Sequence, residues 1–212
     1  MLEIETIVVG ALQCNCRIVH DSQTGDALII DPGDNPADIL DYVQSKGLKV
    51  QGLIHTHAHF DHVGATRAVR ETIEAPIYLH RDDLPLYQNL QMQGNYFGIQ
   101  LDEPLPVERF LEHEMELKTS GFEVKTLHTP GHTPGSCCFH LEVGDKSVVF
   151  TGDTLFQGSI GRTDLWGGDF SAIKKSIKDH LYRLDDDTLV LSGHGEPTTI
   201  GNEKRENPFV TG

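Results

Sequence analysis

The sequence predicts an α+β protein in which two mixed β-sheets stack face to face as a sandwich with helices outside. Two observations predict it: strand-like runs alternate with helix-like ones in the first half and follow one another in the second. A third sets the scale. At 212 residues and 38% hydrophobic content, the chain fits one domain, residues 1–212, burying roughly 70% of its unfolded surface without disulfides.

Taken in order, residues 3–9 and 16–20 read as strands, 21–26 as a turn and 27–31 as a third strand, a hairpin-like start. The pattern breaks at Asp31-Pro32-Gly33-Asp34. Pro36 then opens a helix whose Ile39, Leu40 and Val43 recur at helical spacing before Gly47 ends it. Residues 50–56 are β-like, 62–74 helix-like with Val63, Thr66, Ala68 and Val69 available for packing, and 76–79 β-like again. Between residues 81 and 112 regularity fades and aromatic residues sit among Gly and Pro, which reads as a surface flap. Strands follow at 115–118, 123–128, 137–143 and 147–151, with a turn at Gly144-Asp145. A helix over 170–182 and a strand over 188–191 complete the pattern.

Composition excludes several partners. Subtracting 17 Lys and Arg from 32 Asp and Glu leaves −15, with no basic run, so neither nucleic acid nor an anionic membrane surface is an expected partner. No apolar run approaches the roughly 20 residues of a membrane span, and the Met1-Leu2-Glu3-Ile4-Glu5 start lacks the basic, then apolar character of a secretory signal. The expectation is a cytoplasmic protein acting on small molecules; oligomeric state is left open. Cys14, Cys16, Cys137 and Cys138 lack CxxC spacing and are expected to be reduced, small apolar strand residues.

The chemistry lies in the histidines. His55-Thr56-His57-Ala58-His59-Phe60-Asp61-His62 packs four imidazoles and a carboxylate into eight residues directly after an apolar strand. Zinc, iron and manganese accept these ligands, and in an extended stretch His57, His59 and Asp61 point one way. His62 joins them only if the chain turns into a helix there. His132, between two Pro-Gly pairs, Asp153 and His194 each follow a β-like run, where side chains can be held around a cleft. Five imidazoles and two carboxylates suit two ions that share one carboxylate and hold a bridging hydroxide, which points to a hydrolase. His20, His80, His113, His140 and His180 read as structural or surface residues, and His55 and His128 as neighbours able to orient a ligand.

At this point the chain resembles the metallo-β-lactamase superfamily, whose Thr-His-x-His-x-Asp-His signature stands here as Thr56 to His62. Pro130-Gly131-His132-Thr133-Pro134-Gly135, Thr151-Gly152-Asp153-Thr154-Leu155-Phe156 and Ser192-Gly193-His194-Gly195 follow in the family's order. The resemblance implies an αβ/βα four-layer sandwich. It implies that His57, His59 and His132 hold a first metal, that Asp61, His62 and His194 hold a second, and that Asp153 bridges them. It favours zinc, with iron or manganese as alternatives.

Departures narrow the family. True β-lactamase subclasses carry Cys or Ser where Asp153 stands, flavodiiron proteins carry Glu where His59 stands, and RNA-processing members carry added domains. The chain is most similar to small, single-domain glyoxalase II-like hydrolases, and only residues 201–212 follow its last motif, where two-domain glyoxalase II enzymes append a helical region that helps to bind glutathione. The resemblance implies cleavage of a thioester such as S-D-lactoylglutathione by the bridging hydroxide, which Asp61 would orient. Gly161-Arg162-Thr163-Asp164 is shared with persulfide dioxygenases as well. Arg162 would either attract a substrate carboxylate or stiffen its loop by pairing with Asp164. Tyr96 and Phe97 are the expected substrate contacts of the flap. One rival is a persulfide dioxygenase with a single iron on His57, His132 and Asp153; another is a non-catalytic metal-binding module.

Overall fold

A computed structural model describes residues 1–144 and 146–212; the expected turn at Gly144-Asp145 therefore falls partly outside the described residues. The chain divides into two compact units, Met1–Leu111 with Lys118–Phe122, and Glu112–Leu117 with Glu123–Gly212.

The first unit is built on six strands: β1 (Leu2–Val9), β2 (Cys14–Asp21), β3 (Asp26–Ile30), β4 (Lys49–Ile54), β5 (Ile77–His80) and β6 (Arg109–Leu111), adjacent in chain order. The pairs β1–β2 and β2–β3 are antiparallel, joined by short turns. From β3 to β6 neighbours are parallel, and each return crosses through helix, as parallel pairing requires. The crossovers are α1 (Pro36–Lys46), then α2 (Phe60–Val63) with α3 (Thr66–Thr72), then α4 (Leu84–Gln88) with α5 (Leu90–Tyr96). Pro36 opens α1 where a missing N–H costs nothing, and Gly47 closes it at φ 63. Ile39 and Val43 of α1 pack with Ile18, Ile29, Leu53 and Ile77 of the sheet. Burying each such side chain is worth about 1.5–3 kcal/mol, which holds the helix on its sheet.

Two readings change here. The expected helix over 62–74 is two helices, and the first begins at Phe60, so His62 lies in a helical turn. Residues 81–96, expected to be irregular, form a 3₁₀ turn (Arg81–Asp83) and the helices α4 and α5. Five and seven residues are too few for a periodic signal, and Pro85 and Gly94 read locally as breakers. In space both fit: Pro85 sits in the first turn, and a Cβ at Gly94 would lie 2.6 Å from the Ile99 carbonyl oxygen. Leu86, Tyr87 and Leu90 are buried with Ala58, Phe60, Val63 and Leu79, while Met92, Tyr96, Phe97 and Ile99 are exposed.

The second unit contains β8 (Glu123–His128), β9 (Cys137–Val143), β10 (Lys146–Gly152), β13 (Leu189–Ser192) and β14 (Thr198–Thr199), with β7 (Glu116–Lys118) at the edge. The sheet order is β14-β13-β10-β9-β8-β7, and β11 (Leu155–Phe156) pairs with β12 (Ser159–Ile160) separately. This sheet is mixed too: β8–β9, β9–β10 and β13–β14 are antiparallel, and β10–β13 is parallel across α6 (Phe170–Asp179). Asp169 caps α6 by accepting from the N–H groups of Ser171 and Ala172, and Ile173 and Ile177 pack on Leu127, Val149 and Val190. β14 and α7 (Ile200–Glu206) were not expected. Thr199 caps α7, and Tyr182 donates to the carbonyls of Glu203 and Val210.

The chain is thus α+β with two mixed sheets, as expected. All four cysteines are buried and unbridged. Among the described residues no helix is long and apolar enough to cross a membrane.

Candidate metal centre

Seven ligands were expected; the first unit carries four, His57, His59, Asp61 and His62, and the second carries His132, Asp153 and His194. In the first unit the inner strand β4 ends on the buried pair Leu53-Ile54, and the stretch of candidate ligands starts just past it. His55 is spent on structure. Its Nδ1–H donates to the Tyr78 carbonyl at 2.9 Å, its Nε2 accepts from the Thr66 hydroxyl at 2.8 Å, and burial pushes its pKa below the ordinary imidazole value.

Asp31 organises the stretch, a role the sequence reading did not assign. It adopts φ 52, a left-handed backbone uncommon outside glycine. Its carboxylate accepts from Thr56 N–H at 2.7 Å, the Thr56 hydroxyl at 2.6 Å and His62 Nδ1–H at 2.9 Å. Because the Thr56 proton goes to Asp31, the Thr56 oxygen is an acceptor for His57 Nδ1–H, 3.0 Å away. Both rings therefore carry their proton on Nδ1 and a lone pair on Nε2, the form a cation binds. The His57 ring lies 4.8 Å from that of His59 and 4.1 Å from that of His62, and His62 Nε2 is 3.7 Å from Asp61 Oδ2. Gly33 admits this: a Cβ there would stand 1.7 Å from the Asp61 carbonyl oxygen. Cys14 Sγ sits 3.6 Å from His62 Nδ1, with its thiol pushed up to about 11 by burial, so it stays protonated. The signal for Asp31 was present as a carboxylate at the end of an apolar run, but its partners lie 25 and 31 positions away.

In the second unit the Pro-Gly loop bearing His132 is fixed from behind. Ser176 donates to the Pro130 carbonyl, Asp169 N–H donates to that of Gly131, and a Cβ at Gly131 would lie 2.2 Å from Ile173 N. His132 Nδ1–H donates to the Arg162 carbonyl at 2.8 Å, again leaving Nε2 as the lone-pair atom. That Nε2 lies 3.6 Å from Asp153 Oδ2, and His194 Nε2 lies 3.7 Å from Asp153 Oδ1. One carboxylate thus faces two imidazoles, one per oxygen. These separations are too long for hydrogen bonds. They suit neighbouring ligands of one ion, since two atoms each about 2.1 Å from a cation stand roughly 3 to 4 Å apart. The donor set therefore fits divalent cations that take nitrogen and oxygen.

Three further residues were singled out from sequence. The Arg162 guanidinium pairs with Asp164 through two bonds of 2.8 Å and holds that carboxyl down at about 2, the loop-stiffening arrangement. Its backbone carbonyl meanwhile orients His132. Phe97 stacks on Phe60, the residue after His59, at 4.9 Å between ring centres, and Tyr96 meets Phe97 edge-on at 5.2 Å.

Residues 9–194 match the family described as the metallo-beta-lactamase superfamily. The chain is 40% identical to the hydroxyacylglutathione hydrolase GloC of Haemophilus influenzae, over 99% of its own length and 98% of that protein's. Its structure is similar to the BLEG-1 B3 metallo-beta-lactamase, at a TM-score of 0.90 and 37% identity, covering 99% of this chain and 100% of that one. It is similar also to TTHA1623 in a di-iron-bound form, at a TM-score of 0.87 and 41% identity, covering 97% and 100%.

Proposed function

The chain belongs to the metallo-beta-lactamase superfamily of metal-dependent hydrolases, and on that premise we propose that it is a dinuclear thioesterase of the hydroxyacylglutathione hydrolase type. The observation that carries the proposal is Asp153, a single carboxylate whose two oxygens face separate imidazole nitrogens, the disposition a ligand shared by two ions needs. In this reading His57, His59 and His132 serve one ion, Asp61, His62 and His194 the other, and Asp153 both. The likeness to TTHA1623, a protein of matching length with two irons, supports two ions; the donor set accepts zinc, iron or manganese.

Bound cations would supply an acidified water and a Lewis acid for the substrate carbonyl. The chain's own residues do the rest. Asp61 accepts a hydrogen bond from the attacking water and sets its direction. Asp31, Thr56 and the Arg162 carbonyl keep three imidazoles in the binding tautomer. No acid is needed for departure, because a thiol of pKa near 8.5 leaves as thiolate. Phe97 and Tyr96 offer the substrate an apolar face, and a substrate carboxylate reaching Arg162 would displace Asp164. The substrate is a small thioester, glutathione-derived by likeness to GloC, and the site of action proposed is the cytoplasm.

The test pairs elemental analysis of the purified protein with anaerobic hydrolysis of S-D-lactoylglutathione. Two ions per chain and oxygen-independent turnover are expected. Oxygen uptake with sulfite release from a glutathione persulfide would replace the thioesterase with a dioxygenase. The likeness to BLEG-1 favours β-lactam hydrolysis as a second reading, so a chromogenic cephalosporin belongs in the same assay. Turnover of it, with none of the thioester, would reverse the ranking.

A further inference from the structure

Ala58 separates two of the ligands, and side chains meet both of its backbone polar groups. Its N–H donates to Asp83 Oδ2 at 2.9 Å, and its carbonyl accepts from Gln93 Nε2 at 3.0 Å. The other end of the same amide, Gln93 Oε1, accepts from Phe60 N–H at 3.1 Å, and Gln93 Nε2 donates as well to the Leu86 carbonyl at 2.9 Å. Ala58 and Asp83 are fully buried, so unmet polar groups there would be costly. Ala58 lies beyond the end of β4, and two side chains from the crossover between β5 and β6 meet its backbone there.

The bond to Phe60 has a second effect. Phe60 is the first residue of α2, and His59, at the position where a capping side chain would stand, makes no cap bond. Gln93 meets the first N–H of that helix, a donor that no carbonyl within the helix can reach.

We propose that Asp83 and Gln93 are positioning residues for His57 and His59, bracing the backbone between them so that both imidazoles are in place before a cation arrives. The inference rests on the ion assignment above. Preorganised ligands lose less freedom on binding, so the brace acts on ion affinity as well as on stability.

The experiment uses the full-length apoprotein, titrated with Zn²⁺ by calorimetry and with Co²⁺ by visible absorption, in wild type, Gln93→Met and Val43→Ala. Methionine keeps the length of glutamine and removes every bond; Val43→Ala destabilises the same unit from α1, away from the ligand stretch. Gln93→Met is expected to bind roughly tenfold or more weakly and to change the cobalt spectrum. Val43→Ala should lower the melting temperature and leave affinity and spectrum as in wild type. In wild-type apoprotein the amides of Ala58 and Phe60 should exchange slowly with solvent, a measurement that decides the matter even if Gln93→Met does not fold. Wild-type affinity and spectrum in Gln93→Met, or rapid exchange at both amides, would overturn the brace alone. Failure of wild type itself to bind either ion would overturn the proposed function and the brace with it.

Discussion

The two units solve one problem in opposite ways. The first crowds four candidate ligands into six residues, His57 to His62, on a short stretch that leaves β4 and turns into α2. The second spreads three over 63 positions, one on a loop after β8, one at the end of β10 and one just past β13. In the first, proximity comes free from the chain, and orientation has to be imposed by polar side chains from elsewhere: Asp31, Asp83 and Gln93. In the second, orientation comes from rigid strand ends and proximity from pairing. Parallel β10 and β13 end side by side, and Gly193 N–H donates to the Gly152 carbonyl at 2.8 Å, so Asp153 and His194 arrive together. Clustered candidate ligands therefore depend on buttressing hydrogen bonds, and dispersed ones on backbone packing.

Four substitutions probe that contrast. The largest effect is expected from Asp153→Ala, which removes the proposed shared ligand: most bound metal and at least about a hundredfold in activity should be lost, by elemental analysis and turnover. An unchanged variant would mean the shared ligand is misassigned. Next is Gly161→Ala on the dispersed side. A Cβ there would stand 1.8 Å from the Asp153 carbonyl oxygen and 3.1 Å from His132 Nδ1, so urea unfolding should show a loss of about 1–3 kcal/mol along with lost metal. Asp31→Ala tests the clustered side. It strips the acceptor from Thr56 and His62 and should weaken ion binding roughly 10–100-fold with a smaller effect on β-sheet content, read by calorimetry and circular dichroism.

The smallest effect is expected from Arg162→Ala, whose lost partner is an exposed carboxylate. Asp164 has its folded pKa depressed to about 2, below the unfolded value near 3.9, so the pair's stabilisation is present above about pH 4 and is lost as pH falls through about 2. Denaturation curves of wild type and variant should differ slightly at neutral pH and merge at the acid end, while metal content stays the same. A large loss of metal would show that the carbonyl bond to His132 depends on the ion pair.

How much of this was legible follows the same division. The candidate ligands read directly off the chain, because imidazoles and carboxylates in loops after apolar runs stand out by residue type alone. Strands such as β3 and β10 read equally well, since burial demands apolar runs. Asp31 was seen only as a broken pattern, because what makes it an organiser is Thr56, just past β4, and His62, in α2. Residues 81–96 looked irregular because short helices are stabilised by packing, here of Leu86, Tyr87 and Leu90, and not by their own periodicity. Gln93 carried no signal at all: a lone glutamine becomes a brace only once α5 is folded beside Ala58. β14 and α7 were missed for the same reason.

The parallel pairing of β10 with β13 also sets an order of events during synthesis. Asp153 leaves the ribosome with His132 already made, but its second imidazole follows roughly 2 to 8 s later at about 5–20 residues per second, and the strand that delivers it must first wrap through α6. A nascent chain stalled before Ser192 would expose an acid with half its neighbours. The acid of this unit thus gains its full set of neighbours only after β13 has been made and has paired with β10.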